Sequence, residues 1–215
     1  MFVFGFCLWG KKTIRNMHKL KNIDLLLYQF QTLGIADKIP PEALDAAVSL
    51  IQVEEYNKRD LIVKKGEICK KWFFVGEGIV RVFFEKNGTE ITDLLAPEGW
   101  AFPMVECYYG NMPANANVEA LEPCKILILE KDPFLGLQKQ YPELAYITRA
   151  ILKRFLIYNQ HRVDSLMFET AEEKYDRLLA NIPKILLRVP SLYVASFLGI
   201  TPETLSRVRA KKTKK

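Results

Sequence analysis

The chain has 215 residues, 49% of them hydrophobic, with 31 Lys and Arg against 25 Asp and Glu, a net charge of +6. That length and apolar content exclude a disordered chain and fit one large domain or a medium one with a small companion. The charge is unevenly placed: six of the nine residues from Arg207 to Lys215 are basic, so a polyanion meets the C-terminus and the remainder is nearly neutral.

In chain order, "MFVFGFCLWGKK" is too short to span a bilayer, and its charges follow its apolar run where a secretory signal puts them first. Met17 opens a more ordinary start for a soluble protein, so residues 1–21 are expected to be an extension, either an over-long gene start or disordered. The four cysteines, Cys7, Cys69, Cys107 and Cys124, show no C-x-x-C or metal-finger spacing. Buried reduced thiols and a cytoplasmic setting follow. Helical spacing in "NIDLLLYQFQTLG" and "PPEALDAAVSLI" predicts two short lead-in helices.

From Ile51 to Glu130 the texture becomes short β-branched and aromatic runs divided by turn residues. This predicts an antiparallel β-roll or jelly roll. Asn87 and Gly88 in "KNGTE" fit a tight hairpin, and Gly66, Gly76, Gly78 and Gly99 mark further turns or bulges. The next segment, "ELAYITRAILKRFLIYNQHRVDSLMFE", has neither Gly nor Pro and reads as one long helix of roughly 40 Å. Leu144, Ile147, Ile151, Phe155, Tyr158 and, one turn shifted, Leu166 form an apolar stripe near the 3.5-residue period, expected to be a dimer seam. Thr170 followed by Glu173 predicts a capping box and a new helix.

In "RVPSLYVASFLGITPETLSRVR" a small residue, Ala195, precedes Gly199 by four, and Ile200, Leu205 and Val208 supply the apolar plug of a second helix. That is the spacing of a helix-turn-helix, with Thr201 as N-cap and Pro202 as first helical residue. Glu203, Ser206 and Arg207 then face outward with chemistry suited to base edges, and Arg209, Lys211 and Lys212 to phosphates. The plainer alternative is a helical hairpin with a solvated basic tail.

A β-roll, a long helix and a C-terminal helix-turn-helix together resemble the Crp/Fnr family of bacterial transcription regulators, and the ending resembles the branch common in Bacteroidetes. The resemblance implies an α+β fold of four parts: the extension 1–21, an effector-type roll over 22–141, a dimerisation helix over 142–169 and a DNA-binding unit over 170–215 that lacks a full wing. It implies double-stranded DNA, a second copy of the chain and RNA polymerase as partners, without a membrane or a cofactor. Glu203 and Arg207 match the family's base-reading pair; Thr201 and Thr204 match positions that touch the DNA backbone. Pro202 stands where many members carry a base-contacting Arg.

The effector region departs from the family. Pro103 and Met104 fall where cyclic-nucleotide binders have Gly-Glu, and Ala114-Asn115-Ala116 where they have Arg-Ser-Ala. A buried phosphate without its cation is costly, so cyclic AMP is not expected to bind tightly. Trp100, Phe102, Met104, Glu106, Tyr108, Asn115 and Asn117 are the candidate pocket residues for an unknown small-molecule effector, although filling the roll is the preferred role for the aromatic ones. The absence of histidine between residues 51 and 130 argues against a cupin-like metalloenzyme, and no nucleophile elbow or phosphate loop appears. The remaining alternative to a DNA reader is a ligand-binding module whose basic end engages a protein or membrane.

Overall fold

A computed structural model describes residues 34–213. The predicted helix in "NIDLLLYQFQTLG", Cys7, His18 and the final two lysines lie outside these residues. After a short 3-10 turn comes α1 (Pro41–Ser49), with Pro41 at its first position as the sequence requires. Eight strands follow: β1 (Gln52–Tyr56), β2 (Leu61–Val63), β3 (Lys71–Glu77), β4 (Val80–Lys86), β5 (Thr89–Ala96), β6 (Ala101–Pro103), β7 (Asn117–Ala120) and β8 (Cys124–Glu130). They form two four-stranded antiparallel sheets, ordered β1-β8-β3-β6 and β2-β7-β4-β5. The expected roll is present.

Strand alternation sends Phe73, Val75, Val80, Val82, Leu94, Val118, Ile126 and Ile128 into the space between the sheets, where they make the main core. Asn87 and Gly88 both take positive φ and join Lys86 to its partner Thr89, the expected two-residue hairpin. The register of β3 against β8 slips between Val75 and Glu77, so Gly76 is a bulge.

Both sheets are also covered from outside. Beyond the first sheet, Phe74 and Leu127 pack with α1, with α3 (Lys131–Gln140) and with the start of the long helix, α4 (Ala145–Phe168). Beyond the second sheet, Ile79, Leu95 and Leu121 enter a third core with α5 (Ala171–Asn181), α6 (Ile185–Arg188), α7 (Ser191–Leu198) and α8 (Pro202–Thr213). The sequence reading assigned no helix to "EKDPFLGLQKQYP", which forms α3, or to the region that forms α2 (Val105–Gly110). Thr170 caps α5 as expected: its hydroxyl accepts from the Glu173 N–H, and Glu173 accepts from the Thr170 N–H.

Gly78 makes the turn between β3 and β4 at φ +90°, and a Cβ there would sit 2.5 Å from Cys124 Sγ and 2.7 Å from the Pro123 carbonyl oxygen. Gly88, at φ +73°, has nothing within 4 Å. Gly78→Ala is expected to cost about 3 kcal/mol, conformational strain plus collision, and Gly88→Ala about 1 kcal/mol from conformation alone. Urea unfolding of the two variants measures the difference; equal losses would refute the steric account.

Candidate functional site

The helix-turn-helix is built as its spacing requires. Val194, Ala195 and Leu198 of α7 are buried against Leu205 and Val208 of α8. Gly199 turns the chain in the left-handed conformation, φ +64°, which a glycine adopts without steric cost. Ala195 is fully buried, as a close helix crossing demands.

With that face fixed, Glu203, Ser206 and Arg207 stand exposed along α8. Thr201 caps the helix, its hydroxyl accepting from the Thr204 N–H at 3.2 Å and lying 3.2 Å from the Thr204 hydroxyl. Arg207 Nη2 donates to the same Thr204 hydroxyl at 3.1 Å, which pre-orients its guanidinium along the helix. Hydrogen bonds from its own backbone N–H and from the Thr201 side chain hold the Glu203 carboxyl below the usual range, so it is a ready acceptor. The two residues expected to read bases thus share one short network with Thr201 and Thr204.

The basic end is arranged differently from the expectation. Lys211 lies 2.6 Å from Glu172 and Lys212 2.5 Å from Asp176, both on α5. Their ammonium groups are turned toward α5 rather than presented with the reading row, because α8 packs along α5 and the acidic first turns of α5 lie opposite them. Arg209 Nη1 donates to Ser191 at the start of α7, 3.2 Å away.

The effector candidates do not converge on a pocket. Phe102 and Met104 are buried in the main core, and Trp100 packs at its edge, its ring 4.7 Å from that of Tyr158 on α4. Tyr108 is buried against Trp72, centroids 5.7 Å apart. Glu106 and Asn115 are exposed, and the Asn117 side chain accepts from the Lys65 N–H at 2.9 Å. The break in secondary structure explains the scatter: β6 ends at Pro103 and α2 begins at Val105, so the two-residue spacing that keeps side chains on one strand face no longer holds. At the positions of the family's anchors, Pro103 and Met104 are buried, Ala114 and Ala116 sit in the apolar core, and Asn115 between them is exposed.

The expected dimer seam is a correction. Leu144 precedes α4 and is fully buried, Ile147 and Ile151 pack beneath the first sheet, and Phe155 and Tyr158 pack on the main core. That stripe faces the chain's own roll and continues inward through Ser165, leaving Leu166 off it. The outward stripe is turned by one residue: Leu152, Leu156, Asn159, Val163 and Met167 recur at the same 4-3-4-4 spacing of a helical seam. Leu156 is 71% exposed, Met167 68% and Phe168 76%. An α-helix this apolar on two faces gives no sequence signal of which one its own domain takes.

Comparison with known proteins follows this geometry. A family model described as a cyclic nucleotide-binding domain matches residues 53–141. The match covers less than half of the chain, and residues 53–141 are similar to that domain family. The Cyclic AMP receptor protein of Thermus thermophilus is 27% identical over 175 residues, spanning 79% of this chain and 81% of its own. Among solved structures, FixK2 from Bradyrhizobium japonicum superposes with a TM-score of 0.66 at 18% identity, covering 76% of this chain and 85% of its own. The Catabolite Activator Protein of Thermus thermophilus gives a TM-score of 0.50 at 26% identity over 81% of this chain and 84% of its own. The chain has the fold of the Crp/Fnr regulators, helical C-terminal part included.

Similarity to that domain leaves the ligand open, and the residues at the anchor positions bear on it. With apolar residues at the places of both charged groups, isothermal calorimetry is expected to show no cyclic AMP binding up to micromolar concentrations. A micromolar dissociation constant would show that another cation has taken the role.

Proposed function

We propose that this chain is a DNA-binding transcription regulator of the Crp/Fnr type that acts as a homodimer on a pseudo-palindromic site. The observation that carries the reading is the row Glu203, Ser206 and Arg207, exposed on a helix whose opposite face is locked by Leu205 and Val208. A solvated hairpin needs no such pre-orientation of one arginine by the capping threonines. Arg207 bonds a guanine in the major groove, Glu203 accepts from a cytosine amine, and Thr201 and Thr204 lie at the backbone. Arg209 and the lysines add phosphate contacts, Lys211 and Lys212 after exchanging the carboxylates of α5. Exposed ion pairs of that kind are worth only about 0.2–1 kcal/mol, so the exchange is affordable.

The second copy docks along Leu156, Val163, Met167 and Phe168, whose combined exposure is unusual for a solvated helix. Paired long helices set two α8 helices roughly 34 Å apart, one turn of duplex. The chain performs no catalysis in this reading. Two similar Thermus thermophilus proteins are named a cyclic AMP receptor protein and a catabolite activator protein, and RNA polymerase is the further partner a DNA-bound regulator of this kind engages.

Two measurements test the parts separately. Arg207→Ala is expected to lose about 1–3 kcal/mol at one base pair per half-site, measured against single-base variants of a site selected from a random pool. Uniform loss on every sequence would favour a nonspecific basic end. Leu156→Glu with Val163→Glu is expected to convert the dimer to a folded monomer in sedimentation equilibrium, whereas Ile151→Glu should unfold the roll instead. A dimer that survives the first pair places the interface elsewhere.

A further inference from the structure

The outer face of the second sheet is not a bare surface carrying a tethered reader; the helix-turn-helix is fastened to it through charge. Arg81 projects outward from β4, beside its register neighbours Leu95 and Glu119, and is 1% exposed. Its Nε donates to Glu119 at 3.1 Å, and its Nη2 lies 2.6 Å from Glu90 and 2.8 Å from Glu119. The guanidinium is sandwiched between the Phe83 ring of the same strand, 4.0 Å away, and the Tyr193 ring of α7, 3.7 Å away. Arg188, at the end of α6, is gripped from the other side by Glu98 and Glu122 in the loops that follow β5 and β7. Burial opposes the charge on Arg188, and the hydrogen bonds to Glu98 and Glu122 outweigh it, raising its pKa. Between the two arginines the Ser196 hydroxyl of α7 accepts from the Thr92 N–H at 2.9 Å.

Two features distinguish this interface from an ordinary core. Arg188 meets the Glu98 and Glu122 carboxylates across it, and Arg81, paired with Glu90 and Glu119 inside the sheet, offers its guanidinium face to Tyr193, where leucine-like packing would be at least as stable. Among the described residues, Arg81 Nη1 and the Thr92 hydroxyl are also buried without a hydrogen-bond partner. Orphaned groups of this kind destabilise the closed interface and regain water when it opens. None of Glu203, Ser206 and Arg207 takes part in the contact.

We propose that this face of the roll is a releasable clamp on the helix-turn-helix, which fixes the direction of α8 relative to α4 and opens without melting either part. Its consequence for DNA rests on the reading given above; the clamp itself does not. While the clamp is closed, the two reading rows of a dimer keep one spacing and one tilt. Once it is open, the rows are held to the long helices by the link around Thr170 and by the contacts of Arg162 with Phe197 and of Arg177 with Glu169, without the second hold on the roll, and the preference for a spaced palindrome falls.

The test uses the full chain carrying Glu98→Ala and Glu122→Ala, both on the roll and outside the reading row. Hydrogen exchange followed by mass spectrometry should show amides of α7 and β5 exchanging at least tenfold faster, with β3 and β8 unchanged. A Thr92→Cys/Ser196→Cys disulfide placed in the same background should restore slow exchange on oxidation. Unchanged rates in α7 and β5 would overturn the clamp, as would equal acceleration through β3 and β8, which would make the interface part of one indivisible core. On DNA, the ratio of affinities for the selected site and a random duplex should fall at least tenfold in the open variant and recover on oxidation; an unchanged ratio overturns the orienting role. If the wild type selects no site, the DNA reading fails by itself, and the exchange rates still decide the clamp.

Discussion

Everything in this chain depends on the fact that neither sheet of the roll can face water on its outer side. Phe74 and Leu127 beneath the first sheet and Ile79, Leu95 and Leu121 beneath the second each need a cover, and burial of such side chains is worth roughly 1.5–3 kcal/mol apiece. The first sheet recruits α1, α3 and the start of α4. The second recruits the helical C-terminal unit, which is therefore part of the roll's own packing rather than a separate body on a string. The roll and the helical C-terminal unit share a core and cannot move independently without exposing apolar surface, which gives any change at the roll a direct route to α7.

The long helix meets a similar demand twice over. Its inner stripe of Ile151, Phe155 and Tyr158 closes the roll, and its outer stripe of Leu156, Val163 and Met167 has no cover among the described residues. A helix that serves two neighbours pays with low amphipathicity, since apolar groups occupy both sides. Polar groups fill the seams between the stripes. Asn159 satisfies its side chain on the Phe155 carbonyl at 2.8 Å, and Arg162 lays its guanidinium over the Phe197 ring of α7 at 4.1 Å. Burial lowers the pKa of Arg162, and the neighbouring Asp93 and Tyr158 act against that fall.

Much of the fold was legible because its signals are local. The Asn87-Gly88 turn, the Thr170 capping box and the Ala195 to Gly199 spacing are set by backbone geometry within a few residues, and each is present. The reading row on α8 followed from the same local logic. What could not be read was any matter of which partner covers which face. Periodicity places Leu144, Ile147, Ile151, Phe155, Tyr158 and Leu166 on a stripe without saying what lies against it. The basic run at Lys211 and Lys212 carries no sign of the α5 carboxylates that they meet in the single chain. Arg81 drew no notice, since an arginine alternating with valines looks like an ordinary solvent-facing strand residue. Only tertiary contact shows it buried between two rings. Pattern could place a residue on a face, and long-range packing alone could say whether that face meets water, the roll or the reader.

The turn of the helix-turn-helix holds one more consequence. A Cβ at Gly199 would lie 2.9 Å from Leu166 Cδ2, so the long helix presses a side chain into the hollow that the glycine leaves. Interiors packed at this density transmit displacement instead of absorbing it. Leu166 is 43% exposed, so this is a surface tooth meshing α4 with the α7-α8 corner: a roll of the long helix about its axis pushes at the pivot of α8, where a small angle has its greatest leverage on the far end.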